Sequence, residues 1–282
     1  MSRIIARTSV NDTIDADIYG VELEAVVRPD PDWMINMGFS YLHTKVAGDQ
    51  FRSNTRDPGG GRADAVIIKD ISNGANCAVI PNTPGNAAGS NGFVNAVNGA
   101  INAGQIPGLQ GGAGLQGTTP FPADGGLAST GAFSFCGVLQ ATAATIGAGF
   151  GGVQVLSPGV TVNLRGNKLP QAPVVKASVG VQYTNNFDSG MSLVPRVDIN
   201  YTGDSFGNVF NGRVNKINGF VQANAQIQLN GTDDKWYVKA YVQNIFDSNS
   251  TTGLYVTDAS SGLFTNIFTL DPRRYGIGVG IK

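Results

Sequence analysis

Three arginines in one stretch without regular periodicity are the residues best suited to bind a ligand. Arg52, Arg56 and Arg62 each carry a guanidinium group whose fixed fork of donors matches the oxygens of a carboxylate or phosphate. They could capture an anionic small molecule or metal chelate, although arginines in loops are often simply solvated. His43, the only histidine, lies near the outer end of a predicted strand, where it is either a ligand contact or a rim residue.

The residue types argue against an enzyme. A single histidine allows neither a histidine-based metal site nor a Ser-His-Asp triad. Gly276, Gly278 and Gly280 alternate along the chain, but no helix follows them, and a phosphate site needs the free amides of a helix N-terminus. We therefore predict no catalytic residue, no cofactor and no metal site.

Cys77 and Cys136 are the only cysteines, and both lie in the same aperiodic stretch. Their spacing is not that of a Cys-x-x-Cys redox or zinc motif. An even pair on a surface exposed to an oxidising compartment typically forms a disulfide. Such a bond would close a loop of about 60 residues and stabilise it by about 4 kcal/mol on the chain-entropy model. Two unrelated thiols are the alternative.

The elements that must position these residues are strands in which apolar and polar side chains alternate. Successive side chains of a strand project to opposite faces, so sustained alternation predicts a strand with one apolar and one polar face. Pro195 falls inside one such pattern and predicts a bulge or local break, because proline cannot donate to a strand ladder. The clear patterns span 19–28, 33–44, 175–184, 193–202, 221–230, 236–243 and 274–282, with the tail of a further strand at 4–10.

The polar face of these strands cannot lie in a dry core. One strand presents five amides in a row on this face, and burying them without partners is costly. We predict that the polar face lines a lumen and that the apolar face contacts lipid. The charged members of the polar face could line a solute path or simply pair across strands. The residues predicted to face the lumen are Glu22, Glu24, Lys176, Arg196, Asp198, Gln222, Asn224, Gln226, Gln228, Lys239 and Arg274.

Composition is compatible with a membrane β-barrel. Charged residues make up 14% of the 282 residues, against roughly 25% in a typical soluble domain. No run of about 18 apolar residues is present, which excludes a helical membrane span. The formal net charge of −1 gives no basic footprint for nucleic acid. A secreted β-protein rich in glycine and asparagine would have the same bulk composition.

Connection lengths favour the membrane barrel. In outer-membrane barrels, short turns face the periplasm and long loops face outward. Trp33 and Trp236 each follow a short turn on an apolar face, so we predict that both lie at the same membrane boundary, as an aromatic girdle would. Short helices are predicted at 93–103 and 136–146 within the longest connection. The short turns are 29–32, 186–189 and 231–234, and the long connections are 48–166, 203–218 and 247–266.

Four stretches, in this order and spacing, resemble the C-terminal part of TonB-dependent outer-membrane receptors. They are Ala16-Asp-Ile-Tyr-Gly-Val-Glu-Leu-Glu24, Gly166-Asn-Lys-Leu-Pro-Gln-Ala-Pro173, Trp236-Tyr-Val-Lys-Ala-Tyr-Val-Gln-Asn-Ile-Phe-Asp247 and Asp271-Pro-Arg-Arg-Tyr-Gly276. The resemblance implies a barrel of about 22 strands plugged by an N-terminal globular domain. It also implies active uptake of a scarce nutrient, often a ferric siderophore, driven by a periplasmic energy-transducing partner.

The resemblance leads to a specific expectation for this chain. We expect an all-β fold, an antiparallel transmembrane β-barrel present as about its last seven or eight strands. Residues 1–282 would form one partial C-terminal barrel domain in the outer membrane of a Gram-negative bacterium, with 48–166 as a long extracellular loop. The plug domain and the partner-contacting N-terminal region would be absent. Residues 1–10 lack the apolar core of a secretory signal, so the chain is either cytoplasmic or missing its true beginning.

Two other functions fit parts of the sequence. One is a complete barrel of about eight strands that acts as an adhesin or passive pore through its extended loop. The other is a secreted β-sandwich binding module, in which the polar face would meet solvent. Gly276, Gly278 and Gly280 weaken the first alternative, because they leave space on the polar face that eight strands would struggle to use.

Overall fold

The computed structural model describes residues 13–70, 75–106, 135–257 and 264–281. The predicted strand tail at 4–10 and Lys282 lie outside these residues. The chain divides into two compact units. Unit 1 comprises Met1–Asp49, Leu164–Tyr255 and Asn266–Lys282, and unit 2 comprises Gln50–Asn163 and Val256–Thr265.

Most of the regular structure is β. The helices are α1 (Ala87–Asn102) and α2 (Phe135–Ile146), with short 3-10 turns at Gly147–Phe150, Arg213–Asn215 and Thr232–Asp234. In chain order the strands are β1 (Ala16–Val27), β2 (Trp33–Val46), β3 (Phe51–Ser53), β4 (Val66–Asp70), β5 (Ala75–Pro81), β6 (Val153–Leu156), β7 (Thr161–Asn163), β8 (Val175–Tyr183), β9 (Asn185–Asn186), β10 (Ser192–Thr202), β11 (Ser205–Phe206), β12 (Lys216–Ile217), β13 (Phe220–Asn230), β14 (Trp236–Gln243), β15 (Thr251–Val256), β16 (Thr265–Thr269) and β17 (Arg274–Ile281).

Unit 1 is organised by an antiparallel sheet of eight strands. Its order is β1-β2-β8-β10-β13-β14-β17, and the short β9 pairs with β10. Every neighbouring pair is antiparallel. The all-β antiparallel fold expected from the alternating patterns is therefore confirmed. None of the described helices is both long and apolar enough to span a membrane.

The alternation places apolar and polar side chains on separate faces of the whole sheet. Register aligns apolar with apolar residues: Ile199 lies opposite Val179 on one side and Ala223 on the other. Along the ladder of β14 and β17, Val238 lies opposite Val279. The apolar face is uncovered, and many of its large side chains are 40–79% exposed. These include Leu23, Met37, Phe39, Val197, Ile199, Val221, Ile227, Val238, Ile277 and Val279. A sandwich would bury this face against a second sheet, so the exposure does not support the β-sandwich alternative.

The sheet is open in the described part of the chain. β1 pairs only with β2, and β17 pairs only with β14. Nearly all of β1 is exposed, and Ile281 at the end of β17 is 91% exposed. Within the described residues, these strands do not close into a barrel.

Pro195 produces the predicted local break. The ladder between β10 and β8 begins at Arg196, and pairing on the other side of the break resumes only at Leu193 with β9. On its other side β8 is unaffected: the backbone N–H of Thr184 donates to the carbonyl of Asp32 and continues the register of β2 and β8. The partner strand β13 continues its register past Pro195 without interruption.

Unit 2 corrects the expectation that 48–166 is a long loop. It contains the three-stranded antiparallel sheet β4-β5-β6, the pair β3-β7 and both helices. Its core buries apolar side chains from the sheet and both helices, including Val79, Phe93, Val97, Leu139 and Val153. Enough apolar surface is buried that this stretch forms a small folded body of its own.

Both predicted helices of this stretch are confirmed, and one begins earlier than expected. α2 matches the predicted 136–146, whereas α1 starts at Ala87 instead of 93. The side-chain oxygen of Asn86 accepts a hydrogen bond from the N–H of Gly89 at 3.0 Å and caps the helix. Cys77 of β5 and Cys136 of α2 form a disulfide across a sequence separation of 59.

Candidate functional site

The polar face of the sheet in unit 1 is the candidate functional surface. Its residues come from the same alternation that creates the apolar face, so each polar residue lies between apolar neighbours along its strand. Register brings polar residues side by side across strands. Asp198 lies opposite Asn224, and Gln228 lies opposite Lys239. This face is a hydrogen-bonding wall in which amides, hydroxyls and single charges alternate.

An ion pair occupies the middle of this wall. The Arg196 guanidinium donates from Nε to Asp198 Oδ2 at 2.9 Å, and the two residues lie on the same face of β10. Their side chains extend over Gly180 of the neighbouring β8, where an added Cβ would overlap them. Both side chains are largely shielded, which favours a geometrically fixed pair over two freely solvated charges.

Grooves on the polar face bring most of the predicted lumen-facing residues together. A groove of about 540 Å³ is lined by Glu24, Asn36, Ser178, Arg196 and Asp198, among others. Two further grooves join other members of the same wall. One of about 250 Å³ has Glu22, Ser40, Lys176, Asn200 and Thr202 along it, and one of about 490 Å³ has Asn224, Gln226, Lys239, Tyr241 and Gln243.

Three predicted lumen-facing residues lie outside these grooves. The amide of Gln228 donates to Asn230 Oδ1 at 2.7 Å, within its own strand. Arg274 forms an ion pair with Asp271 at 2.9 Å, where β17 begins. Gln222 lies opposite Asn200 in the register of β10 and β13. All three therefore belong to the wall without lining its recesses.

Tyrosines fill the space that the glycines of β17 were predicted to leave open. Built Cβ atoms at Gly276 and Gly280 would overlap the rings of Tyr241 and Tyr237, respectively. At Gly278 the contact is looser, since a built Cβ would lie 3.1 Å from Lys239 Cε. The expectation of empty space was wrong because it ignored β14, whose register places large side chains opposite each glycine.

Each of the three arginines predicted to bind a ligand has a hydrogen-bond partner in the structure. Arg62 donates to both carboxylate oxygens of Asp64 at 2.8 Å. Arg56 donates to the hydroxyl of Thr265, and Arg52 donates to the carbonyl of Phe51 at 2.8 Å. All three arginines belong to unit 2.

His43 belongs to unit 1 and lies in β2. Its ring stacks on Tyr19 of β1, with centroids 4.5 Å apart and an angle of 16° between the planes. His43 occupies an alternate position of β2 after Phe39 and Tyr41, which places it on the apolar face. It is therefore part of an aromatic contact between strands.

The ion pair between Arg62 and Asp64 in unit 2 shifts the pKa of both side chains. The hydrogen bond from Arg62, together with one from the N–H of Gly85 at 2.8 Å, lowers the pKa of Asp64 to about 2. The same contact raises the pKa of Arg62. Through Asp64, this pair also holds the backbone of Gly85, in the loop that precedes α1.

Aromatic residues lie at both ends of the apolar face. Trp33 packs against Tyr183 with centroids 4.9 Å apart, and Trp236 also lies beside a short turn. In the sequence, a tyrosine recurs near the long-connection end of several apolar patterns, a signal that the prediction did not use. These tyrosines form a second aromatic set at the opposite end of the apolar face. Its exposed members are Tyr19, Tyr41, Tyr201 and Tyr275.

No protein-family model matches the chain, and no curated protein matches it. Among solved structures, the siderophore receptor PiuA from Acinetobacter baumannii is 12% identical with a TM-score of 0.44, and the match covers 94% of this chain and 21% of that one. The ferric yersiniabactin uptake receptor FyuA from Yersinia pestis is 13% identical with a TM-score of 0.40, covering 94% and 30%. The ferric citrate transporter FecA is 12% identical with a TM-score of 0.36, covering 94% and 31%. The chain spans less than a third of the length of each of these three proteins.

Proposed function

We propose that this chain is part of an outer-membrane receptor of a Gram-negative bacterium that takes up a scarce nutrient such as a ferric siderophore. The observation that carries the proposal is the separation of one apolar and one polar face across the whole sheet of unit 1. Water on both sides would leave a continuous apolar surface exposed, which soluble monomers avoid. Lipid on the apolar side and a hydrated lumen on the polar side satisfy both faces.

The dimensions of the sheet suit a bilayer. Its main strands contain 8 to 14 residues, against about 9–11 needed to cross a membrane at a tilt near 45°. Trp33 and Tyr41 are eight residues apart in β2, about 27 Å along the strand. At the usual tilt this becomes roughly 20 Å, close to the ~25 Å height of the apolar band between aromatic girdles.

The receptor role rests on the motif resemblance and on the polar wall. In this proposal a metal chelate or other anionic small molecule arrives from the side of the long connections, where Arg52, Arg56, Arg62 and His43 are candidate contacts. It then passes along the polar face, and a periplasmic energy-transducing protein drives the uptake through a region outside this chain. Transport requires binding and passage, so no catalytic group is assigned.

Two adjacent residues on opposite faces of β10 test the membrane placement. In the proposal, Ile199→Arg places a charge in lipid near the middle of a strand, at a cost of about 2–4 kcal/mol, whereas Asn200→Arg adds the same charge to the hydrated side. We expect Ile199→Arg to reduce co-flotation of the refolded chain with phospholipid vesicles and Asn200→Arg to leave it unchanged. Equal effects of the two substitutions would contradict the placement.

A separate experiment tests ligand capture. Arg52, Arg56 and Arg62 would be changed together to glutamine in the full-length receptor, and the affinity for a panel of ferric siderophores would be measured by fluorescence quenching. We expect at least a tenfold loss for the cognate chelate, because anion recognition needs the guanidinium donors. Unchanged affinity would remove these arginines from the proposal without affecting the membrane placement.

A further inference from the structure

Two tyrosines of β14 lie over glycines of β17 on the polar face of the sheet. A Cβ atom built at Gly276 would overlap the ring of Tyr241, and one built at Gly280 would overlap the ring of Tyr237. Each ring therefore occupies the space in which a side chain of β17 would otherwise lie. Both tyrosines are half-buried, so part of each ring remains accessible.

Side-chain amides border the ring of Tyr241. Register places Gln226 of β13 directly opposite Tyr241, and Asn224 lies two residues before Gln226 on the same face. Asn224 Oδ1 accepts the backbone N–H of Asn244 at 3.0 Å, which orients the amide and leaves its NH2 group as a donor. Within the described part of the chain, no hydrogen bond engages the side chain of Gln226, although that side chain is half-buried.

These side chains line one groove of about 490 Å³. That volume lies within the roughly 300–1,000 Å³ that is usual for small-molecule sites. The charged residues among its described lining are Asp198 and Lys239, which carry opposite charges. The Lys239 ammonium lies 6.0 Å from the centre of the Tyr241 ring. The lining therefore has one aromatic ring, several amides and no excess of one charge that would select an ion.

We propose that this groove binds a ring that carries several hydroxyl groups, as in a neutral saccharide. The C–H face of such a ring packs on an aromatic side chain, and its hydroxyl groups match amides, which both donate and accept hydrogen bonds. Lys239 adds a further donor. The inference rests on the proposed function, since it needs a hydrated polar face, and it names what the nutrient presents to this part of that face.

The same kinds of side chain continue along β13 and β14. From Tyr241 the register passes through the pair of Gln228 and Lys239 to Asn230, which lies opposite Tyr237. The two tyrosines are four residues apart, about 14 Å along the strand. Two aromatic rings at this separation suit two sugar rings of one linear oligosaccharide, whereas a single flat ligand such as a nucleobase would need only one of them.

Calorimetric titration of the refolded full chain with maltohexaose, xylohexaose or citrate tests the proposal. We expect at least one of the two saccharides to bind with a dissociation constant on the order of 1 mM or tighter, and citrate not to bind. Tyr241→Ala should weaken saccharide binding about tenfold, whereas Tyr241→Phe keeps the ring and should retain the affinity. Gly276→Ala keeps the tyrosine but displaces its ring, so it should weaken binding as well.

The matched control is Tyr275→Ala, which removes a tyrosine beside Gly276 on the opposite face and should leave binding unchanged. Gln226→Leu removes an amide and leaves the ring in place, so it keeps the test valid if Tyr241→Ala does not fold. It should also weaken binding about tenfold. The absence of saccharide binding, binding of citrate alone, or equal effects of Tyr241→Ala and Tyr275→Ala would overturn the proposal.

Co-flotation of the same preparations with phospholipid vesicles separates the two possible failures. An unaltered chain that floats with vesicles but binds neither saccharide contradicts only the proposal for this groove. An unaltered chain that does not float contradicts the membrane placement on which the proposed function depends.

Discussion

The side-chain amide of Asn244 donates a hydrogen bond of 2.8 Å to the backbone carbonyl of Asp271, and this joins the end of β14 to the start of β17. Asn244 is 1% exposed, and it also donates to the carbonyl of Ser248 at 2.8 Å. Three residues on, Asp247 accepts from the N–H of Arg273 at 3.0 Å. These hydrogen bonds, called the clasp below, therefore link two of the stretches that resemble the receptor family, 236–247 and 271–276.

Removing the Asn244 side chain should loosen this clasp. Asn244→Ala leaves the carbonyls of Asp271 and Ser248 without this donor and places alanine at a φ of 50°, a conformation that asparagine tolerates better. We expect a loss of about 3 kcal/mol in the free energy of unfolding of unit 1. Urea titration followed by tryptophan fluorescence measures it, because Trp33 and Trp236 both lie in unit 1.

Two further variants separate the causes. Asn244→Gly relieves the backbone conformation but still lacks the amide, so it should recover only part of the loss. Gln243→Ala changes an exposed neighbour and should be close to neutral. A loss for Gln243→Ala equal to that of Asn244→Ala would show that the clasp is not the cause.

The glycines of β17 should differ in their tolerance of alanine. Gly276→Ala and Gly280→Ala would force the rings of Tyr241 and Tyr237 aside and should each cost about 1–3 kcal/mol. Gly278→Ala is the matched control, since its Cβ would lie 3.1 Å from the flexible end of Lys239. In a Tyr241→Ala background the cost of Gly276→Ala should largely disappear, and an unchanged cost would contradict the ring contact.

The sequence predicts a strand of this fold well when the two faces of that strand lie in different environments. In the sheet of unit 1 each strand separates an apolar from a polar environment, so alternation revealed every main strand and its faces. β5 in unit 2 is buried on both sides, with Cys77, Ala78, Val79 and Ile80 all inaccessible, and therefore shows no alternation. The sheet of unit 2 was missed for this reason.

The candidate site was only partly predictable for a similar reason. The side on which Arg196 or Gln226 lies follows from its position along one strand. The contact of Tyr241 with Gly276 depends on the register between β14 and β17, which the pattern of a single strand does not specify. The partners of Arg62 and His43 likewise come from turn geometry and strand pairing, which the residue types alone do not specify.

The disulfide should stabilise unit 2 without affecting the sheet of unit 1. Cys77 and Cys136 are both buried in the core of unit 2, and the bond closes a loop of 59 residues. Replacing both cysteines with alanine should cost about 4 kcal/mol on the chain-entropy model. We expect rapid proteolysis within 50–163 and unchanged tryptophan fluorescence. A parallel loss of fluorescence would mean that the two units unfold together.

Acid should destabilise unit 2 through Asp64. Because the folded-state pKa of Asp64 is lowered to about 2, below its ordinary value near 4, the contribution to stability is fully present above pH 4. It is lost as the pH falls through that window towards 2, when the carboxylate takes up a proton and loses its charge-assisted bond to Arg62. Hydrogen exchange of α1 amides, measured between pH 2 and 5 after correction for intrinsic rates, should show protection decreasing in this range.

The change Asp64→Asn provides the decisive comparison, because asparagine has nearly the same shape and does not titrate. It should flatten the dependence of α1 protection on pH and lower protection near pH 5 to the level that the unaltered protein reaches near pH 2. Arg62→Gln removes the largest cause of the lowered pKa and should shift the transition upward, towards pH 4. If both variants retain the pH profile of the unaltered protein, the acid sensitivity of unit 2 arises elsewhere.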